Sequence, residues 1–151
     1  MTKSQTICIV DDEAAIRETL ENVLSDEGYP VMSCKDSIHF FAELEQQTPD
    51  LVLLDIWLPG IDGMAILSKL RETHPELPVI MMSGHAGIDA AVNAIKLGAV
   101  DFMEKPLRLE ILLDKIAVVL SNKPPERIKD LASDTRMEVA KIINPIIPSA
   151  A

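Results

Sequence analysis

The chain has 151 residues, enough for one domain with a substantial core and too few for two comfortable ones. Hydrophobic residues make up 48% and charged residues 25%, but aromatics only 3%, so the core is expected to be aliphatic. With a formal net charge of −10 nothing suggests a nucleic-acid footprint, no apolar run is long enough for a membrane span, and "MTKSQTICIVDDE" lacks a signal-peptide layout. These features give the expectation of a cytoplasmic protein that binds neither nucleic acid nor membrane directly.

Short apolar runs alternate with longer amphipathic ones. "TICIV" (6–10) reads as a strand, and Ile16, Leu20, Val23 and Leu24 recur at helical spacing until Gly28 stops the helix. "PVMSC" (30–34) is a second strand. Ser37 is expected to cap a helix carrying Phe40, Phe41 and Leu44, closed by Thr48-Pro49. "LVLLD" (51–55) is a third strand, and its lack of alternation implies burial on both faces. After the turn "LPGIDG" comes a helix with Ala65, Ile66, Leu67 and Leu70, then a fourth strand, "LPVIMMS" (77–83). The next helix sets Ile88, Ala91, Val92 and Ile95 on one face and stops at Gly98; a fifth strand (100–104) and a fifth helix (108–120) follow.

Five strand–helix units argue for a parallel sheet between two helical layers. From Ser121 the character changes: "SNKPPE" reads as a linker, and residues 122–151 carry net charge +1, which leaves −11 for 1–121. The expectation is a domain over 1–121 followed by a linker or extra helical tail over 122–151. Cys8 and Cys34, in strand-like segments, read as buried inert thiols, and neither they nor the three histidines show metal-ligand spacing.

In an open parallel sheet, ligands sit beyond the carboxyl ends of the strands. Strand one ends in Asp11-Asp12-Glu13, strand three in Asp55, strand four in Ser83-Gly84-His85, and strand five in Glu104-Lys105-Pro106. Singly, each has a bland explanation: helix-dipole carboxylates, a loop-starting aspartate, a turn serine, a surface lysine. Together they deliver carboxylates, a hydroxyl and an ammonium to one rim.

With Pro59 and Gly63 following Asp55, these residues resemble the bacterial response-regulator receiver domain over residues 5 to about 121. "SGHAGIDAAVNAIKLGAVDFMEKP" (83–106) resembles the nitrogen-regulator (NtrC/NtrX-type) subgroup in particular. The resemblance implies a flavodoxin-like fold with strand order 2-1-3-4-5. It also implies that Asp55 accepts a phosphoryl group from a sensor histidine kinase, in a protein that is not an enzyme in the ordinary sense but catalyses its own phosphorylation and dephosphorylation. Asp12, Asp55 and the backbone carbonyl of Trp57 would ligate Mg²⁺, for which Mn²⁺ would substitute, and Asp11 would bind through water or support the ligands. Lys105 would oppose the metal across the phosphoryl group, with a cis Lys105-Pro106 peptide, and Ser83 would donate to a phosphoryl oxygen. Ser83 and Phe102 would switch the face formed by helix four, strand five and helix five, a candidate for phosphorylation-linked homodimerisation. Trp57 and His85 would occupy positions where side chains in the family tune the rate of phosphoryl loss, the alternative for Trp57 being a partner contact on an exposed loop.

Two other classes compete. A phosphatase would need a second aspartate two residues after Asp55, where Trp57 stands; a nucleotide-binding fold would need glycines in the first turn, which reads "VDDEAA". An interaction module that is never phosphorylated would have no use for the full set of Asp11, Asp12, Asp55, Ser83 and Lys105. The chain is expected to belong to a transcriptional regulator of NtrC type, with a stand-alone receiver as the alternative.

Overall fold

The computed structural model describes residues 5–84 and 87–121. The expected alternation is present: β1 (Ile7–Val10), α1 (Ala14–Asp26), β2 (Val31–Cys34), α2 (Ser37–Gln46), β3 (Leu51–Asp55), α3 (Gly63–Thr73), β4 (Val79–Ser83), α4 (Ile88–Lys96), β5 (Asp101–Glu104) and α5 (Leu109–Ser121). The strands form one sheet in the order β2-β1-β3-β4-β5, all neighbours parallel. Ile7 pairs with Val31 on one side and Leu51 on the other, so β1 and β3 flank the point where strand order reverses. The expected linker or tail over 122–151 lies outside the described residues, as does His85.

Side chains alternate across the sheet and feed two apolar layers. Cys8, Val10, Val52, Leu54 and Met81 face Phe40 of α2, the Ile66-Leu67-Leu70 set of α3, and Ala94 of α4. Ile7, Ile9, Leu53, Ile80 and Met82 face Leu20 and Leu24 of α1 and Leu112, Ile116 and Leu120 of α5. All five residues of β3 are buried, as its unbroken apolar run requires.

One local expectation is corrected, and one face turns out to be exposed. Ser37 is the first residue of α2, and the cap is Asp36: its extended backbone lets the carboxylate accept from the His39 N–H at 2.8 Å. Phe40 N–H, the donor Ser37 would have needed, goes to the Asp36 carbonyl oxygen. On α4 the large aliphatic residues do share a face, but Ile88 (83% exposed), Val92 (45%) and Ile95 (49%) point outward. Ala94 is the buried residue, with Ala90 partly buried against the same layer.

The far ends of α3 and α4 are tied together. The Arg71 guanidinium donates to the carbonyl oxygens of Leu77, Gly98 (3.3 Å) and His74 (3.4 Å). Gly98 has φ +108°, and a Cβ there would come within 2.5 Å of Arg71 Cδ, so glycine ends α4 on both conformational and steric grounds.

Candidate functional site

The carboxyl ends of β1, β3, β4 and β5 converge. Asp11, one residue past β1, is fully buried, and its N–H donates to the Cys34 carbonyl oxygen at 3.1 Å. Asp55 is the last residue of β3 and 3% exposed; Ser83, the last of β4, is fully buried. Lys105 follows β5: its N–H donates to the Ser83 carbonyl oxygen at 2.8 Å, and its peptide bond to Pro106 is cis. The chain leaves Asp55 through Ile56 and Trp57 and returns at Gly63, whose N–H donates to the Ile56 carbonyl oxygen at 2.6 Å. A Cβ at residue 63 would overlap the Asp55 carbonyl oxygen and lie 2.8 Å from Ile56 Cα. Only glycine lets α3 begin so close to the end of β3.

Lys105 Nζ donates to Asp11 Oδ2 at 2.7 Å and to Asp55 Oδ2 at 3.2 Å, and lies 3.5 Å from Glu13 Oε1. Burial disfavours the ammonium, but the hydrogen bond and charge of Asp11, reinforced by Asp55, outweigh it and hold the Lys105 pKa above its ordinary value. Burial also raises the Asp55 pKa, aided by the Asp11 charge; Lys105 and the Trp57 N–H, which donates to Asp55 Oδ1 at 3.3 Å, oppose the rise. Asp55 is thus a carboxylate whose charge is only partly compensated.

Asp12 is exposed, but it offers a carboxylate oxygen that lies with one each from Asp11 and Asp55 in a group spanning no more than 4.8 Å. The donors are all hard oxygens, and two of the three carboxylates are buried around a single ammonium. Such a set fits Mg²⁺ or Mn²⁺ and suits neither Zn²⁺ nor Cu²⁺, because it offers no imidazole or thiolate.

Of the other residues singled out in the sequence, the Trp57 side chain is 58% exposed beside the pocket, and Phe102 is half-buried on β5. Two contributors were not anticipated in these roles. Arg17 donates from α1 to the Asp11 carbonyl oxygen at 2.6 Å, and Glu13 donates its N–H to Asp11 Oδ1 at 2.9 Å while its carboxylate approaches Lys105. Position i+6 from a strand-end aspartate was the available signal for Arg17; Glu13 was visible only as the third acid in a run. Cys8 and Cys34 are buried free thiols with sulfurs 4.0 Å apart; their hydrogen bond pushes the Cys8 pKa up, aided by burial, and draws the Cys34 pKa down.

Known proteins resemble this chain in sequence and fold. The family profile described as "Response regulator receiver domain" matches residues 7–117. The chain is 45% identical over 109 residues to the nitrogen assimilation regulatory protein NtrX of Azorhizobium caulinodans, covering 71% of this chain and 24% of that protein. It is 39% identical over 104 residues to the DNA-binding transcriptional regulator NtrC of Salmonella typhimurium, covering 69% and 22%. The match therefore spans about a quarter of the length of these relatives. Among solved structures, the receiver domain of NtrX from Brucella abortus superimposes with a TM-score of 0.73 at 43% identity, covering 77% of this chain and 98% of that one. The beryllofluoride-activated NtrC4 receiver domain dimer gives 0.75 at 32% identity, covering 79% and 98%. With its sheet order, its acidic pocket and its 7–117 match, the chain belongs to the response regulator receiver domain family.

Proposed function

We propose that residues 1–121 accept a phosphoryl group on Asp55 from the phosphohistidine of a sensor histidine kinase, as the input module of an NtrC/NtrX-type transcriptional regulator acting in the cytoplasm. The observation that carries this reading is the buried Asp55 carboxylate at a strand end, 3.2 Å from the Lys105 ammonium and grouped with Asp11 and Asp12 oxygens.

A carboxylate oxygen of Asp55 attacks phosphorus, and the bond from phosphorus to the donor nitrogen, or to the acetate oxygen of acetyl phosphate, breaks. The leaving group departs with the electron pair, and an aspartyl phosphate forms. Phosphoryl transfer asks chiefly for positioning and charge neutralisation. Lys105 moves its ammonium from the carboxylates to a phosphoryl oxygen, and the Ser83 hydroxyl donates to another. Asp12, Asp55 and the Trp57 carbonyl would hold Mg²⁺, with Asp11 bound through water, and the ion supplies Lewis-acid neutralisation of phosphoryl charge when present. Trp57 and His85 screen the aspartyl phosphate from attacking water.

Ser83 and Phe102 carry the change to the face of α4, β5 and α5, where Ile88, Val92, Ile95 and Val118 are exposed aliphatics. That face is where phosphorylated copies pair; a solution mass unchanged by phosphorylation in light scattering counts against the pairing. The module itself does not contact nucleic acid.

Intact mass after incubation with Mg²⁺ and acetyl phosphate tests the central claim. A gain of one phosphoryl group by the parent and none by Asp55→Ala supports it. No gain by the parent, with either acetyl phosphate or a phosphorylated histidine kinase as donor, refutes it in favour of a silent interaction module.

A further inference from the structure

Lys105 has three carboxylate partners, and they are not equivalent. Asp11 and Asp55, at 2.7 and 3.2 Å, also belong to the oxygen cluster suited to a divalent cation. Glu13, at 3.5 Å, stands outside that cluster, with its side chain 60% exposed at the pocket mouth. Its base is fixed: its N–H is held by Asp11 Oδ1 at 2.9 Å, and its carbonyl oxygen accepts from the Arg17 N–H at 3.1 Å as α1 begins. The tip of the side chain is therefore free to swing while its root is not.

A divalent cation among Asp11, Asp12 and Asp55 would claim the oxygens that hold the Lys105 ammonium and would repel it. The Lys105 side chain is 10% exposed and tethered at the end of β5, so it cannot simply retreat into solvent. Among the described residues, Glu13 is the remaining carboxylate within reach. We propose that Glu13 is a positioning residue for Lys105: it receives the ammonium when a divalent cation enters and gives it up to the incoming phosphoryl group. This rests on the phosphoacceptor reading of Asp55 for its second half, but not for its first. By stabilising the cation-loaded, unphosphorylated pocket, Glu13 favours cation binding and restrains phosphoryl capture. Its removal should move those two quantities in opposite directions, whereas damage to the pocket would worsen both.

The test compares the full chain with Glu13→Gln, Glu13→Asp and, as a control for general charge, Glu18→Gln, an exposed acid on α1. Mg²⁺ affinity is read from the fluorescence of Trp57, the single tryptophan, which stands two residues after Asp55 and donates its backbone N–H to that carboxylate. The initial rate of phosphorylation by acetyl phosphate is read at saturating Mg²⁺ from intact mass. Glu13→Gln should raise the Mg²⁺ Kd and the saturated rate each by about two- to fivefold, the scale of a partly exposed ion pair. Glu13→Asp should restore most of the affinity, and Glu18→Gln should leave both values in place. An unchanged Kd in Glu13→Gln, an equal response in Glu18→Gln, or a fall in both affinity and rate overturns the proposal. If the parent binds Mg²⁺ yet gains no phosphoryl group, the phosphoacceptor reading fails separately, and the Kd shift alone decides whether Glu13 receives the ammonium.

Discussion

Replacing Lys105 with methionine isolates the electrostatics of the pocket. The side chain keeps an unbranched apolar stem but leaves fully buried Asp11 and nearly buried Asp55 without their shared cation. At the observed separations of 2.7 and 3.2 Å the direct attractions are roughly 6 and 5 kcal/mol for an effective dielectric of about 20. Much of that is offset by the desolvation of the three charges, and removing one partner of such a cluster costs about 3 kcal/mol or somewhat more. For a domain of this size that is roughly a 10 °C fall in Tm. The deficit must depend on conditions in a defined way. The Asp55 pKa is already raised, so on acidification this carboxyl takes up a proton early and its share of the uncompensated charge disappears. The parent's ion pair is the converse case: the Lys105 pKa is raised, so its contribution is full below the ordinary lysine value and is lost as pH rises through the raised one. Urea melts of parent and Lys105→Met should therefore differ most at neutral pH without divalent cation, and less in acidic buffer or with millimolar Mg²⁺. A deficit of the same size under all three conditions would refute the electrostatic account and leave only lost packing.

Asp55→Asn should raise the urea midpoint at neutral pH. The raised pKa means that Asp55 favours the fold below the ordinary carboxylate value and that this contribution is lost as pH rises, so the gap should open on going from acid to neutral and close again in acid. Gly63→Ala should cost about 3 kcal/mol in urea unfolding and slow phosphorylation, because the new Cβ overlaps the backbone at Asp55. Gly60→Ala, at φ +85° with nothing within 4 Å of the added atom, should cost only about 1–2 kcal/mol and leave the rate alone. Trp57→Asn should shorten the lifetime of the aspartyl phosphate, measured as loss of phosphoryl mass after donor removal; an unchanged half-life would remove the indole from the rate argument.

Periodicity made the layers legible because buried strands such as 51–55 are apolar throughout, and the parallel order followed from their alternation with helices. The pocket was legible because its groups sit at strand ends, where topology alone brings them to one rim. Legibility failed where small residues or short polar side chains decide the outcome. Ser37 and Asp36 are both good caps, and only the backbone extension at Asp36 selects between them. On α4 the hydrophobic pattern marked the exposed side, because alanine contributes little to the pattern yet lies closest to the sheet. Arg17 left only the weak signal of its place six residues after Asp11, and Glu13 acts through a distance to Lys105 that no spacing encodes.

The alanine seat of α4 has a mechanical consequence. A helix that rests on methyl groups has no long side chains inserted between its neighbours, so tilting or rolling it disturbs little interlocked surface. Its C-terminal end is held through Arg71 and Gly98, while its N-terminal cap, Gly87, offers no side chain to grip with. The helix is built like a lever, anchored at the end remote from the acidic pocket and without a side-chain cap at the end beside it. A small displacement near Ser83 would be converted at Ile88, Val92 and Ile95 into a change in the apolar surface shown to solvent.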